Sequence, residues 1–122
     1  MGLPDGTTYG TMIKIVEYLT EKGTSPYREW FYTLDPQAAT LVTIALERLA
    51  DGNTSRVKPV GEGVSEIRID RGPGYRVYFG WDGRTLVVLL GGGTKRRQQR
   101  DIADALALRQ AYKARKATGR KG

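Results

Sequence analysis

The chain has 122 residues, with 20 Lys+Arg against 13 Asp+Glu, a formal net charge of +7, and neither cysteine nor histidine. The length suits one domain with one modest core; the missing residues exclude disulfides, thiolate chemistry and the usual zinc sites, no clustered carboxylate motif points to another metal, and the commonest general acid–base side chain is absent. No apolar run approaches the ~20 residues needed to span a bilayer, and the start lacks the basic and apolar regions of a signal peptide, which points to a cytoplasmic protein without a membrane partner.

Met1 to Thr11, rich in Gly and Thr, reads as a flexible extension. Met12 to Leu19 alternates β-branched and apolar residues with Lys14 and Glu17 and predicts a strand. Ser25–Pro26 pairs a capping residue with a first-turn proline and opens a short helix through Tyr32; Asp35–Pro36 repeats the signal. In the helix that follows, Ala38, Leu41, Val42, Ala45, Leu46 and Leu49 recur at helical spacing and predict its core face, and Asp51–Gly52–Asn53 closes it. Arg56 to Gly63 reads as a loop carrying Arg56 and Lys58.

Val64 to Lys95 reads as three consecutive strands with two tight turns. Asp82–Gly83 predicts a two-residue hairpin, which sets Phe79 against Leu86, Val77 against Val88 and Tyr75 against Leu90. At the earlier turn, pairing Asp70 with Gly74 sets Ile69 against Tyr75 and Ile67 against Val77 on one face. The same register sets Arg68 against Arg76 and Glu66 against Tyr78 on the other, and a one-residue slip would scramble both groupings. Two arginines directly opposed repel unless an anion lies between them or a carboxylate, Glu66 or Asp70, neutralises them. Tyr78, Val87 and Leu89 are the expected floor of the hollow around them, and convergent cations over such a floor suit a phosphate.

Gly91–Gly93 ends the last strand, and Thr94 is placed to cap a final helix that buries Ile102, Ala105, Leu106, Leu108 and Tyr112. Such a cap would add free backbone N–H groups to an anion site beside Lys95. Residues 94–122 carry a net charge of +8 and residues 1–93 a net of −1, so the basicity is local. A local positive field points to a polyanionic partner, although Lys113–Gly122 suits a solvated basic tail equally well. Arg96, Arg97 and Arg100, with Arg56 and Lys58, are the candidate RNA-binding cations. The predicted order is β-α-α-β-β-β-α, an α+β fold with a small antiparallel sheet packed with helices.

Other motifs carry less. The segment GGGTK lacks the spacer and the Gly-Lys-Ser/Thr ending of a phosphate loop. The segment RGPGYRVYF resembles the RNA-binding strand of RRM domains only weakly, because Pro73 breaks the pattern. Trp30 and Trp81 read as core or interface aromatics rather than base-stacking platforms.

The elements SEIRID (Ser65–Asp70), GYRVYF (Gly74–Phe79), LVVLLGGGTK (Leu86–Lys95) and QQRDI (Gln98–Ile102) resemble the RelE/ParE superfamily of bacterial toxins, and within it the HigB-like "addiction module killer protein" group. The resemblance runs from Ile13 to Tyr112. It implies a RelE-like toxin domain over residues 12–112, between the extension at 1–11 and the basic tail at 113–122. It implies a type II toxin that cleaves mRNA on the ribosome, without a cofactor, and is neutralised by a helix-turn-helix antitoxin. The family's two strand arginines correspond to Arg68 and Arg76, and the lysine after the glycine run to Lys95. Family members often use a histidine or tyrosine near the C-terminus. This chain has no histidine, and Tyr112 sits at an expected buried position, so the proton-transfer group stays open.

RNA cleavage needs the 2′-hydroxyl deprotonated, held in line with the phosphate, and charge stabilised on the phosphorane. Arg68 and Arg76 suit a bidentate phosphate clamp, and Lys95 suits the phosphorane or the leaving oxygen. Tyr78 and Glu66 are the nearest candidates for proton transfer, and an unperturbed tyrosine is a poor base at neutral pH. Two further classes fit the same sequence: a ParE-like gyrase-poisoning toxin without catalysis, and a non-catalytic RNA- or ribosome-binding module.

Overall fold

The computed structural model describes residues 12–121; the expectation of a flexible extension at 1–11 lies outside the described residues. The elements in chain order are β1 (Lys14–Glu17), α1 (Pro26–Phe31), α2 (Pro36–Ala50), β2 (Val57–Gly61), β3 (Val64–Ile69), β4 (Tyr75–Asp82), β5 (Leu86–Thr94), a 3-10 turn η1 (Lys95–Arg97) and α3 (Gln98–Lys121). The five strands form one sheet in the order β1-β5-β4-β3-β2. β1 runs parallel to β5, and the other neighbours are antiparallel. This is the α+β architecture expected, with one strand more.

Both cap signals act as read. Ser25 Oγ accepts from Arg28 N at 3.0 Å and Asp35 Oδ1 from Ala38 N at 2.8 Å, each satisfying an amide of a helix's first turn. α1 and α2 cover one sheet face. Tyr27, Val42 and Leu49 pack there with Ile67, Val77, Phe79, Val87 and Leu89. α3 covers the other face, where Ala105 packs with Val64, Tyr78, Val88 and Leu90, and where Ile102, Leu106, Leu108 and Tyr112 join as expected. The helix continues to Lys121, through most of the segment read as a basic tail. Among the described residues no helix is long and apolar enough to cross a membrane.

Two expectations are corrected. Val57–Gly61, read as part of a loop, is an edge strand paired with β3. Pro59 disguised it, but an edge strand has an outward side on which a missing N–H costs nothing. The register of β4 and β5 also differs. Asp82 pairs with Leu86, Phe79 with Leu89 and Tyr75 with Thr94, with a bulge at Tyr78/Phe79. The connection is Gly83–Thr85, with Gly83 at φ 75, in place of the two-residue turn. β5 is an interior strand of the sheet and is apolar from Leu86 to Gly93, so it has no polar alternation that could select a register. The β3–β4 register, where polar and apolar residues alternate, is as expected, from Ile69↔Tyr75 through Arg68↔Arg76 to Glu66↔Tyr78.

Candidate functional site

The alternation of β3 and β4 sends Glu66, Arg68, Arg76 and Tyr78 to the α3 face. They form two rows across the strands. One row runs Lys58, Glu66, Tyr78, Gly91; the other runs Arg68, Arg76, Gly93, with Arg56 O accepting from Arg68 N at 3.2 Å. The floor is corrected with the register. Tyr78 remains in it, but Val87 and Leu89 turn to the α1–α2 face, and glycines take their places.

The opposed arginines are not equivalent. Glu66 is fully buried, at 0% exposure. Its carboxylate accepts from Arg68 Nε at 2.7 Å and from Gln98 Nε2 at 3.0 and 3.2 Å. The bond to Glu66 holds the Arg68 guanidinium above its usual range. Arg68 is therefore neutralised, and Glu66 is a buried tie between β3 and α3. Arg76 is 4% exposed, and among the described residues no group bonds its Nε or Nη1. Buried charged N–H groups left without a hydrogen-bond partner cost on the order of several kcal/mol, so these are open to an accepting ligand.

Tyr78 stands beside it, 1% exposed and with its hydroxyl unpartnered among the described residues. Burial, reinforced by the charges of Glu66 and Asp101, pushes its phenol far above the ordinary range. It stays protonated at neutral pH and is available as a donor.

Gln98 and Asp101, one turn apart at the start of α3, are the site residues that sequence reasoning passed over. Asp101 places its carboxylate where a Cβ on Gly93 would stand, across the ladder from Arg76. Its Oδ2 is buried and unpartnered among the described residues. Burial raises its carboxyl above the usual range, Asp104 adds to the shift, and Arg97 and Arg100 oppose it. On the other face Gly92 makes the same kind of room for the Trp30 ring, which confirms Trp30 as a core aromatic. A glycine run inside a central strand was the available signal, since such a strand is weak unless something fills the space.

The remaining candidates lie at the rim. Lys95 is exposed in η1, with its N–H donating to Gly74 O at 2.7 Å and its Cβ close to Gly74. Arg96, Arg97 and Arg100 are exposed and line, with Lys95, Gln98 and Gln99, an open hollow of about 500 Å³. Arg56 is exposed and paired with Asp70 at 3.4 Å, and exposed Lys58 sits across from Glu66. The expectation of a helix cap at Thr94 is corrected: its side chain makes no cap bond, and the chain enters α3 through the 3-10 turn. The stiff, extended exit from β5 and the Lys95–Gly74 bond favour that tighter start.

The family profile described as "Phage derived protein Gp49-like (DUF891)" matches residues 29–116, which takes in α2, all of β2–β5 and most of α3. An uncharacterized protein of Haemophilus influenzae is 39% identical over 90 residues, covering 73% of this chain and 91% of the relative.

Proposed function

Since the chain belongs to the phage-derived Gp49-like family, we propose that it is the toxin of a type II toxin–antitoxin pair and an endoribonuclease that cuts mRNA on the ribosome. The family is of the toxin–antitoxin type, with a RelE-like fold, which supports the coarser half of this reading. The observation that carries the finer half is the buried Arg76 guanidinium with open N–H groups next to the open Tyr78 hydroxyl. Donors held in a dry site are the arrangement that stabilises charge on a phosphorane.

In the proposed reaction the 2′-oxygen attacks the adjacent phosphorus and the P–O5′ bond breaks, leaving a 2′,3′-cyclic phosphate and a 5′-hydroxyl. Arg76 binds the non-bridging oxygens. Tyr78, kept protonated by its surroundings, donates to the departing O5′. Glu66 is not the base in this scheme, because Arg68 and Gln98 occupy both its oxygens. Glu66 positions Arg68, whose half-exposed guanidinium, with Lys95, meets the RNA backbone at the rim. Arg56, Lys58, Arg96, Arg97 and Arg100 extend that contact. The ribosome supplies in-line positioning, a large share of such a rate, and a helix-turn-helix antitoxin neutralises the toxin.

The test is to induce the protein in a bacterial host and map mRNA 5′ ends, with Arg76→Met as control. New in-frame cuts that vanish in the control support the reading. Growth arrest with intact mRNA would point instead to gyrase inhibition, and no arrest would favour a binding module.

A further inference from the structure

Among the described residues, the buried side-chain polar atoms without a partner are Arg76 Nε and Nη1, the Tyr78 hydroxyl and Asp101 Oδ2. Native interiors leave few such groups, and scattered leftovers would be unremarked. These converge. Arg76 and Tyr78 alternate on β4, Gly93 is the ladder partner of Arg76, and the Asp101 carboxylate fills the space above Gly93. The charge of Asp101 is felt by the Tyr78 phenol.

The set offers N–H and O–H donors and one carboxylate acceptor. A bare phosphate has use for the donors and is repelled by the carboxylate. A ribonucleotide presents both patterns on neighbouring carbons, a hydroxyl that donates and a phosphate that accepts, whereas a deoxyribonucleotide lacks the hydroxyl. Resting on the endonuclease reading, we propose that Asp101 Oδ2 takes the proton of the RNA 2′-hydroxyl while Arg76 and Tyr78 hold the adjacent phosphate, making Asp101 the general base and the group that selects RNA over DNA.

The step balances. The 2′-hydroxyl proton passes to Asp101, the 2′-oxygen bonds phosphorus, the P–O5′ bond breaks, and O5′ takes the Tyr78 proton. Water then carries the proton from Asp101 back to Tyr78. Asp101 stands across the ladder from Arg76 and its charge reaches Tyr78 on β4, whose phenol also senses Glu66 and Arg68 on β3; Arg97 on η1 and Arg100 and Asp104 on its own helix act on Asp101. Burial lifts its carboxyl toward the working pH, where a base is most effective. The groups are closed to solvent, so the proposal requires the corner of η1 and the first turn of α3 to shift for RNA to enter. That corner is a three-residue turn whose N-cap side chain bonds nothing.

The experiment uses the full chain with translating ribosomes and a defined mRNA. Single-turnover cleavage is followed from pH 5 to 8 for the wild type, Asp101→Asn and Asp101→Glu, and binding is measured with the same mRNA carrying one 2′-deoxy nucleotide at the cut. The wild-type rate is expected to fall on an acid limb. Asp101→Asn should lose about 100-fold or more in rate while binding the deoxy mRNA as tightly as the wild type. Asp101→Glu should recover part of the rate with its acid limb displaced. Cleavage by Asp101→Asn within a few-fold of wild type, or a wild-type rate flat across the acid range, overturns the assignment. The second readout holds even if the variants fold poorly. If the wild type cuts nothing, the endonuclease reading itself fails, and that is visible before any variant is made.

Discussion

Arg76 and Asp101 are placed where a protein selected for stability alone would not put them. Each carries a buried polar atom that nothing among the described residues satisfies. Replacing an uncompensated buried charge by an apolar side chain of similar size often stabilises a protein. Arg76→Met is therefore expected to raise stability by about 1 kcal/mol or more, measured by urea unfolding, while abolishing the proposed mRNA cleavage. A loss of stability would mean that Arg76 is part of the scaffold. Asp101 gives a prediction with a definite sign. Its folded pKa is raised, so the neutral acid stabilises the fold at low pH, and that stability is lost as pH rises through the folded value. Asp101→Asn should thus unfold at higher urea than wild type at pH 7, and the gap should close below about pH 4. That Tyr78 and Glu66 share a sheet face with Arg68 and Arg76 was legible from alternation alone. Their roles were not, because burial and the reach of Gln98 decide them.

At the scale of elements, β5 explains both the site and its concealment. Its three closing glycines let two different side chains approach the sheet, Trp30 above Gly92 and Asp101 above Gly93, while nothing lies within 4 Å of a Cβ built at Gly91. Gly92→Ala drives a methyl into a rigid indole packed on the core and is expected to cost about 1–3 kcal/mol. Gly91→Ala should be nearly neutral. Paired thermal melts check the contrast, and equal losses at both positions would refute the packing account. The helix starts were readable because Ser25–Pro26 and Asp35–Pro36 act locally, within one turn. The edge strand β2 was not, since only pairing with β3 makes Val57–Gly61 a strand.

At the scale of the whole molecule, the second half of α3 is pinned to the β4–β5 turn. Asp82 accepts from the Tyr112 hydroxyl at 2.5 Å and from Lys116 Nζ at 2.6 and 2.7 Å. Burial together with the bond to Asp82 pushes the Tyr112 phenol up to about 12, and its hydroxyl is committed to Asp82, so it acts as a tether. Lys116 and Tyr112 hold the Asp82 carboxyl below its usual range. The stability this adds is present above the unfolded value, near 4, and is lost as pH falls through the lower folded value. Asp82→Asn should speed amide exchange over residues 109–118 several-fold at pH 7 and remove that part of the acid loss. Unchanged exchange would show that the apolar face of α3 suffices.

The sequence by itself determined the α+β class, both helix caps, the apolar face of α2 and of α3, and the β3–β4 register that sets Arg68 against Arg76. Each rests on a local or alternating pattern that survives without knowledge of neighbours. Only the tertiary structure decided the fifth strand, the β4–β5 register, the capture of Arg68 by Glu66 and Gln98, and the meeting of Arg76, Tyr78 and Asp101. These depend on which distant residue enters the space left by a glycine and on how far water is excluded. Contacts and dielectric of that kind arise only when separate elements pack, and no spacing along the chain records them.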